Sequence, residues 1–208
     1  KMSQESKLQI EKEFKKVLEL VAPLREILAE LKEKEKVLEL STTTEAISLQ
    51  EAERLESNYI AKVTNNIRDL KPPDVFKVSK WSKIKIEESK VTAVAERRDK
   101  YLRKVPFAIF EVRVMSHYKR LIQSESFKDT AYLEEIMPII DEIENKAKEV
   151  KYVAVLASAI GWSEKAIERL KNISSYASYV LVDLKNKEYY FNPTDVDLTQ
   201  FEFYFNPK

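Results

Sequence analysis

In the run Phe107-Ala108-Ile109-Phe110-Glu111-Val112-Arg113 an apolar stretch is interrupted by one acid and, two residues on, by one base. Successive side chains of a β-strand point to opposite faces, so residues two apart share a face. Glu111 and Arg113 therefore project together from one side of a strand, while Ala108, Phe110, Val112 and Val114 give it an apolar other side. Two charges on one face of a strand interior suggest a use. As a plain ion pair on a partly wet strand they contribute under about 1 kcal/mol.

Composition limits which use that can be. The chain of 208 residues contains a single Gly, which removes Gly-rich phosphate loops and dinucleotide fingerprints and argues against nucleotide hydrolysis. Without Cys there is no disulfide framework, thiol nucleophile or thiolate zinc site, and the lone His117 cannot build a multi-histidine centre. Any metal would be oxygen-held, which means Mg²⁺ or Mn²⁺. No apolar run is long enough to cross a bilayer and the N-terminal residues are charged and amphipathic, so a cytoplasmic protein without membrane contact is expected. The excess of Lys, Glu and Ile gives a thermophile-like composition.

Length and charge favour a core plus an extension, and the extension reads as helical. Ile10, Phe14, Val17, Val21, Leu24, Leu28 and Leu31 alternate steps of four and three, a heptad seam, with Pro23 marking a kink. Thr42 followed by Glu45 fits a capping box for a second helix running to about Leu70, where Pro72 and Pro73 stop it. Residues 1–71 are thus expected to form a coiled-coil-like helical hairpin, a candidate arm for homo-oligomerisation such as a homodimer, and residues 72–208 an α/β domain.

After Pro73 the period shortens to two. Phe76, Val78, Ile84 and Ile86 read as one face of a strand, and Lys77, Trp81, Lys83 and Lys85 as a basic face around one aromatic. Val91–Glu96 and Val105–Val114 complete an expected antiparallel meander. A helix over 131–150 follows, then the continuously apolar Tyr152–Ala157, which suits a buried central strand. Ser163 is placed as the N-cap of a helix to about Asn172, and Tyr179–Leu184 and Lys187–Asn192 as two further strands. The outcome is an α/β fold with a mixed sheet.

That element order over residues 45–192, with Glu111-Val112-Arg113 on the third strand and Gly161-Trp162-Ser163-Glu164-Lys165-Ala166-Ile167 after a buried strand, resembles the PD-(D/E)XK nuclease superfamily. Mrr-type restriction endonucleases and archaeal Holliday-junction resolvases belong to it. The resemblance implies a restriction-endonuclease-like core in which Glu111 and an Asp on the second strand hold divalent ions that activate water at a scissile phosphate. Thr92 stands where that Asp is looked for, leaving Glu96 or Asp99, with Asp74 and Glu56 as more distant candidates, to join Glu111 on Mg²⁺ or Mn²⁺. Arg113 replaces the family's Lys; it stays protonated and can clamp phosphate in a fork but cannot act as a base. The resemblance therefore implies either a Mg²⁺-dependent DNA endonuclease, with Glu111, Arg113 and Glu96 catalytic, or a degenerate nuclease-like domain.

The net charge is only +1, yet residues 77–104 carry ten Lys or Arg against four acids. Lys77, Lys80, Lys83 and Lys85 around Trp81, with Arg97 and Arg98, are the expected DNA-binding set, combining phosphate contact with stacking. The competing expectation is a non-enzymatic coiled-coil assembly protein whose α/β domain binds other proteins. The Tyr- and Phe-rich tail, residues 189–205, holds too many large rings to stay in water and is expected to cover the sheet or the N-terminal helices.

Overall fold

The computed structural model describes residues 47–123, 131 and 133–208, together with Pro23. The chain divides into two compact units, residues 1–43 and residues 44–208. The heptad seam and the Thr42–Glu45 capping box lie outside the described residues.

In the second unit, helix α1 spans Leu49–Asp69. Its N-cap is Ser48, whose hydroxyl accepts from the Glu51 N–H at 3.2 Å. Its stripe Tyr59, Ile60, Val63 and Ile67 is buried in the core on one face of the sheet. The Tyr59 hydroxyl donates to the Phe205 carbonyl at 2.7 Å, which ties α1 to the end of the chain.

The sheet has six strands in the order β1 (Lys83–Glu87), β2 (Lys90–Arg98), β3 (Lys104–Met115), β4 (Lys151–Ser158), β5 (Ala177–Asp183) and β6 (Glu188–Phe191). The first three form the antiparallel meander read from the period-two pattern, β3, β4 and β5 run parallel, and β6 returns antiparallel. Helix α2 (His117–Gln123) and helix α3 (Leu133–Ala147) lie between β3 and β4, and helix α4 (Glu164–Lys171) between β4 and β5. Because β3, β4 and β5 are added in one direction, handed crossovers bring α3 and α4 to the same face.

The two faces bury separate cores. Ala108, Phe110, Val112 and Val114 of β3 join Val153, Val155 and Ala157 of β4 beneath α1 and the chain's end. Tyr152, Ala154 and Leu156 pack beneath Ile136, Ile140 and Ile143 of α3 and Ala166 and Leu170 of α4. Strand β4 is thus covered on both sides, which its uninterrupted apolar sequence requires. The aromatic tail closes the first core: a 3₁₀ turn at Val196–Phe201 and the short helix α5 (Glu202–Phe205) bury Phe201, Tyr204 and Phe205, while Phe203 stays 79% exposed.

One departure from the period-two reading matters for function. The expected strand from Phe76 begins only at Lys83. Residues Asp74–Phe76 form a 3₁₀ turn and Lys77 takes a left-handed φ of 51°. The Pro72-Pro73 pair, which ends α1, directs the chain into this turn; Phe76, Val78, Ile84 and Ile86 still lie toward the first core, but Trp81, expected on the basic face, packs there with them.

Candidate functional site

On β3, Ile109, Glu111, Arg113 and Met115 occupy the face that α3 and α4 partly cover. Glu111 lies opposite Thr92 of β2 on one side and Ala154 of β4 on the other. It is only 2% exposed. A carboxylate withdrawn this far from water needs compensating donors, and each of its oxygens has them. Oε1 receives the Arg113 Nε–H. Oε2 receives the Tyr152 hydroxyl at 2.8 Å and the Thr92 hydroxyl at 3.4 Å, with Lys90 Nζ at 4.0 Å.

Arg113 extends the network outward. Its Nη1 and Nη2 donate to the two oxygens of Glu142 on α3, at 2.8 and 2.9 Å, the planar fork that guanidinium and carboxylate share. Glu142 also accepts from Lys146 one turn further along the helix. Arg113 and then Lys146 pull the Glu142 pKa down to about 2. Burial opposes the charge of Arg113, but its bonds to Glu142 and Glu111 outweigh this and hold its pKa above the ordinary value. Tyr152 is held well above the usual phenol range by burial and then by the adjacent Glu111 carboxylate. The result is a chain of charges, Lys90, Glu111, Arg113, Glu142 and Lys146, running from the sheet to the surface of α3.

The other expected ligands are engaged elsewhere. Glu96 stands four residues beyond Thr92 on β2, about 13 Å along the strand, and its carboxylate takes Lys83 Nζ at 2.6 Å. Asp99 organises the β2–β3 turn, accepting the N–H groups of Tyr101 and Arg103 at 2.8 and 2.9 Å and Arg103 Nε at 3.0 Å. Asp74 sits in the 3₁₀ turn after α1. Among the described residues no group of three His, Asp or Glu converges as a metal site. A Mg²⁺-type ion asks for near-octahedral oxygen coordination. Both oxygens of Glu111 already accept hydrogen bonds, and the network's other carboxylate, Glu142, lies across the Arg113 guanidinium, so the two do not converge. These residues do not fit a divalent ion.

The basic residues separate into two sets. Lys83 and Lys85 are in register with Val94 and Thr92, on the face that carries Glu111 and Arg113, and both are exposed. Trp81 belongs to the opposite core: its ring meets Phe76, Phe110 and Tyr204 at 5.8, 6.3 and 6.3 Å. The structure thus does not bring Trp81 to the lysines it was expected to accompany, and Lys77 and Lys80 precede the strand. Arg97 lies 4.5 Å over the Phe107 ring, and Arg98 is exposed near the end of β2.

Comparison with protein-family models, with curated proteins and with solved structures finds no match to this chain.

Two groupings escaped the sequence reading, although it named Glu56 and His117 singly. Glu142 and Tyr152 complete the Glu111 network. The i,i+4 pair Glu142–Lys146 was a visible signal, whereas the meeting of Tyr152 with Glu111 depends on the β3–β4 register. The second group surrounds His117, which is buried at the start of α2. Glu56 of α1 accepts the His117 backbone N–H at 2.8 Å, and burial pushes the Glu56 pKa up to about 7. Burial and the nearby Arg120 bring the His117 pKa down to about 4. Arg120 is held by Glu135 at 2.6 and 2.8 Å, both side chains being buried. Glu56 lines a cavity of about 400 Å³ with Glu53, Ser57, Glu88, Tyr118 and Lys119.

Proposed function

We propose that the α/β unit is a nucleic-acid-binding domain of the PD-(D/E)XK type in which a fixed ion-pair network stands in place of the metal site. The observation that carries this reading is one shared face: Lys83 and Lys85 on β1 and Lys90 and Thr92 on β2 lie in register beside Glu111 and Arg113 of β3, which reach the edge of α3 through Glu142. The strand arrangement supports the kinship, since an antiparallel meander leads into two parallel crossovers with the Glu-x-Arg pair on the third strand. The chemistry at Glu111 favours binding over hydrolysis. Thr92 supplies a hydroxyl where a second carboxylate is needed, and Arg113, held between Glu111 and Glu142, stays protonated and cannot take a proton from water.

In this reading the exposed Lys83 and Lys85 exchange their partners Glu96 and Glu87 for backbone phosphates, and Arg113 and Lys90 balance the buried Glu111 beside them. Phosphate contacts of this kind are independent of sequence and weaken steeply with salt. The test is fluorescence anisotropy of labelled single-stranded, duplex and four-way-junction DNA at low and moderate salt, with and without Mg²⁺. Salt-sensitive binding that Lys83→Glu/Lys85→Glu weakens by tenfold or more supports the reading. No binding at low salt would overturn it, and Mg²⁺-dependent cleavage abolished by Glu111→Gln would restore the enzyme.

A further inference from the structure

Strand β2 has β1 as a neighbour only as far as Val94, and β3 has β4 as a neighbour only from Ala108 onward. Between these limits the pairs Glu96↔Pro106, Arg97↔Val105 and Arg98↔Lys104 continue alone, past an irregularity at Ala95/Glu96. Among the described residues no other strand flanks this stretch, so the sheet extends as a two-stranded ribbon for about 13 Å from Ala95 to Asp99.

Three properties distinguish this ribbon. Five cations, Arg97, Arg98, Lys100, Arg103 and Lys104, stand in eight residues against the single acid Asp99, which is occupied within the turn by backbone N–H groups and by Arg103, so that four positive charges remain in excess. The turn is fixed: besides the Asp99 side-chain bonds, the Asp99 N–H donates to the Arg103 carbonyl at 2.9 Å and the Leu102 N–H to the Asp99 carbonyl at 3.0 Å. At its tip are two large apolar residues that the fold does not cover, Tyr101 at 65% and Leu102 at 73% exposure. Leu102 also has a φ of 62°, a conformation disfavoured for an L residue with a side chain and one that Gly or Asn takes more readily. The fold gains no packing from leucine at this position. Lys100 Nζ and Arg103 Cζ each lie 5.1 Å from the Tyr101 ring centre, so the exposed ring carries positive charge beside it.

We infer that the ribbon Arg97–Lys104 enters a groove of duplex DNA, its cations seated on the flanking phosphates and Tyr101 and Leu102 pressed against a base step. A two-stranded ribbon fits the major groove, and apolar side chains between stacked bases are a recurrent way of opening a step. The observation favouring duplex DNA over an anionic membrane is the small apolar tip, two residues on a rigid turn, beside a much larger number of cations. The inference rests on the nucleic-acid reading above and adds the element and the form of DNA to it.

The test uses the full chain with a duplex containing 2-aminopurine, whose fluorescence rises on unstacking, and anionic phosphatidylserine vesicles as the other arm. Tyr101→Ser/Leu102→Asn is expected to lose the 2-aminopurine signal and bind duplex roughly tenfold more weakly, with the salt slope kept. Arg98→Gln/Lys100→Gln/Lys104→Gln is expected to lower the salt slope by about 2 to 3, near one for each phosphate that no longer meets a cation. If both variants match the wild type in affinity, slope and signal while Lys83→Glu/Lys85→Glu weakens binding, the ribbon inference fails and the nucleic-acid reading stands. If the wild type binds no DNA, both fail. Sedimentation with vesicles in the absence of duplex binding would assign the tip to a membrane and overturn the inference.

Discussion

Arg113 bridges two carboxylates in different environments: through Nε it holds Glu111, a buried acid of its own strand, and through Nη1 and Nη2 it holds Glu142 on the surface of α3. The side chains of Glu111 and Glu142 are 3% and 44% exposed. The guanidinium thus transfers charge balance from the sheet to the rim, and the two halves of the bridge should respond differently when broken.

Arg113→Ala leaves Glu111 buried with only hydroxyl donors and a lysine at 4.0 Å. A loss on the order of 3 kcal/mol is expected, since an uncompensated buried charge outweighs the value of the pair that held it. Urea unfolding at neutral pH measures this. The double variant Arg113→Met/Glu111→Gln should be less destabilised than Arg113→Ala alone, and a double variant that is worse would contradict the description of Glu111 as a charge needing a partner.

Glu142→Gln tests the outer half through pH. The Glu142 pKa of about 2 in the fold lies below the ordinary 4.5, so its stabilisation is present above pH 4.5 and disappears as pH falls toward 2. Its exposure limits the effect at neutral pH to under about 1 kcal/mol. The stability curves of wild type and variant should converge in acid, and parallel curves from pH 7 to 2 would rule the pair out as the source.

Glu56 should behave in the opposite sense. With its folded pKa near 7 and an ordinary value of 4.5, it holds its proton more tightly in the fold than in the unfolded chain. The Glu56 contribution to stability should therefore decline as pH rises from 4.5 to 7 and level off above that, against the opposite trend from His117, whose pKa of about 4 adds stability as pH rises toward 6.5. Glu56→Gln keeps an oxygen for the His117 N–H and should remove the decline, giving a variant more stable than wild type at pH 8 in a thermal melt.

Tyr152→Phe removes one donor from Glu111 Oε2 without changing the shape of the core. A hydrogen bond to a charged acceptor contributes about 1.5 to 3 kcal/mol, and chemical denaturation should find a loss in that range. No loss would mean that Thr92 and Lys90 satisfy the carboxylate unaided.

Leu102→Asn should raise stability by about 0.5 to 1 kcal/mol, because Asn tolerates the left-handed backbone and almost no packing is lost. Should the same variant also bind duplex DNA less well, the leucine is retained for the partner at the expense of the fold.

The sheet was largely legible in the sequence because its signals are local. Tyr152–Ala157 is apolar without a break, and that pattern suits only a strand covered on both faces. Ser163 caps α4 as its place before the helix suggests, accepting from the Ala166 N–H at 3.3 Å. Glu111 and Arg113 do share a face. The misreadings arose where a local rule was extended past a break in regular structure. Trp81 precedes the strand that starts at Lys83, so it is not bound to the alternation and joins the core instead of meeting Lys83. Helix α2 starts after Ser116, whose hydroxyl accepts the Lys119 N–H at 3.4 Å, but its buried His117 and Arg120 are secured by Glu56 and Glu135 from other helices, which sequence spacing does not show. The separation of Glu96 from Glu111 follows from strand register, which sequence spacing alone does not reveal.

The chain's one glycine shows how little slack this architecture has. Gly161, at φ 80°, follows β4 and precedes α4, and a Cβ placed on it would fall 2.6 Å from Asp183 Oδ2, a residue that is itself buried and held by Asn186. Every other turn is made with residues bearing side chains, so the sequence space open to this fold narrows sharply at a single point. In a saturation library screened for folded product, position 161 should tolerate fewer replacements than Glu111 does, and a turn that links a strand to its helix should prove more restrictive than the charged network beside it.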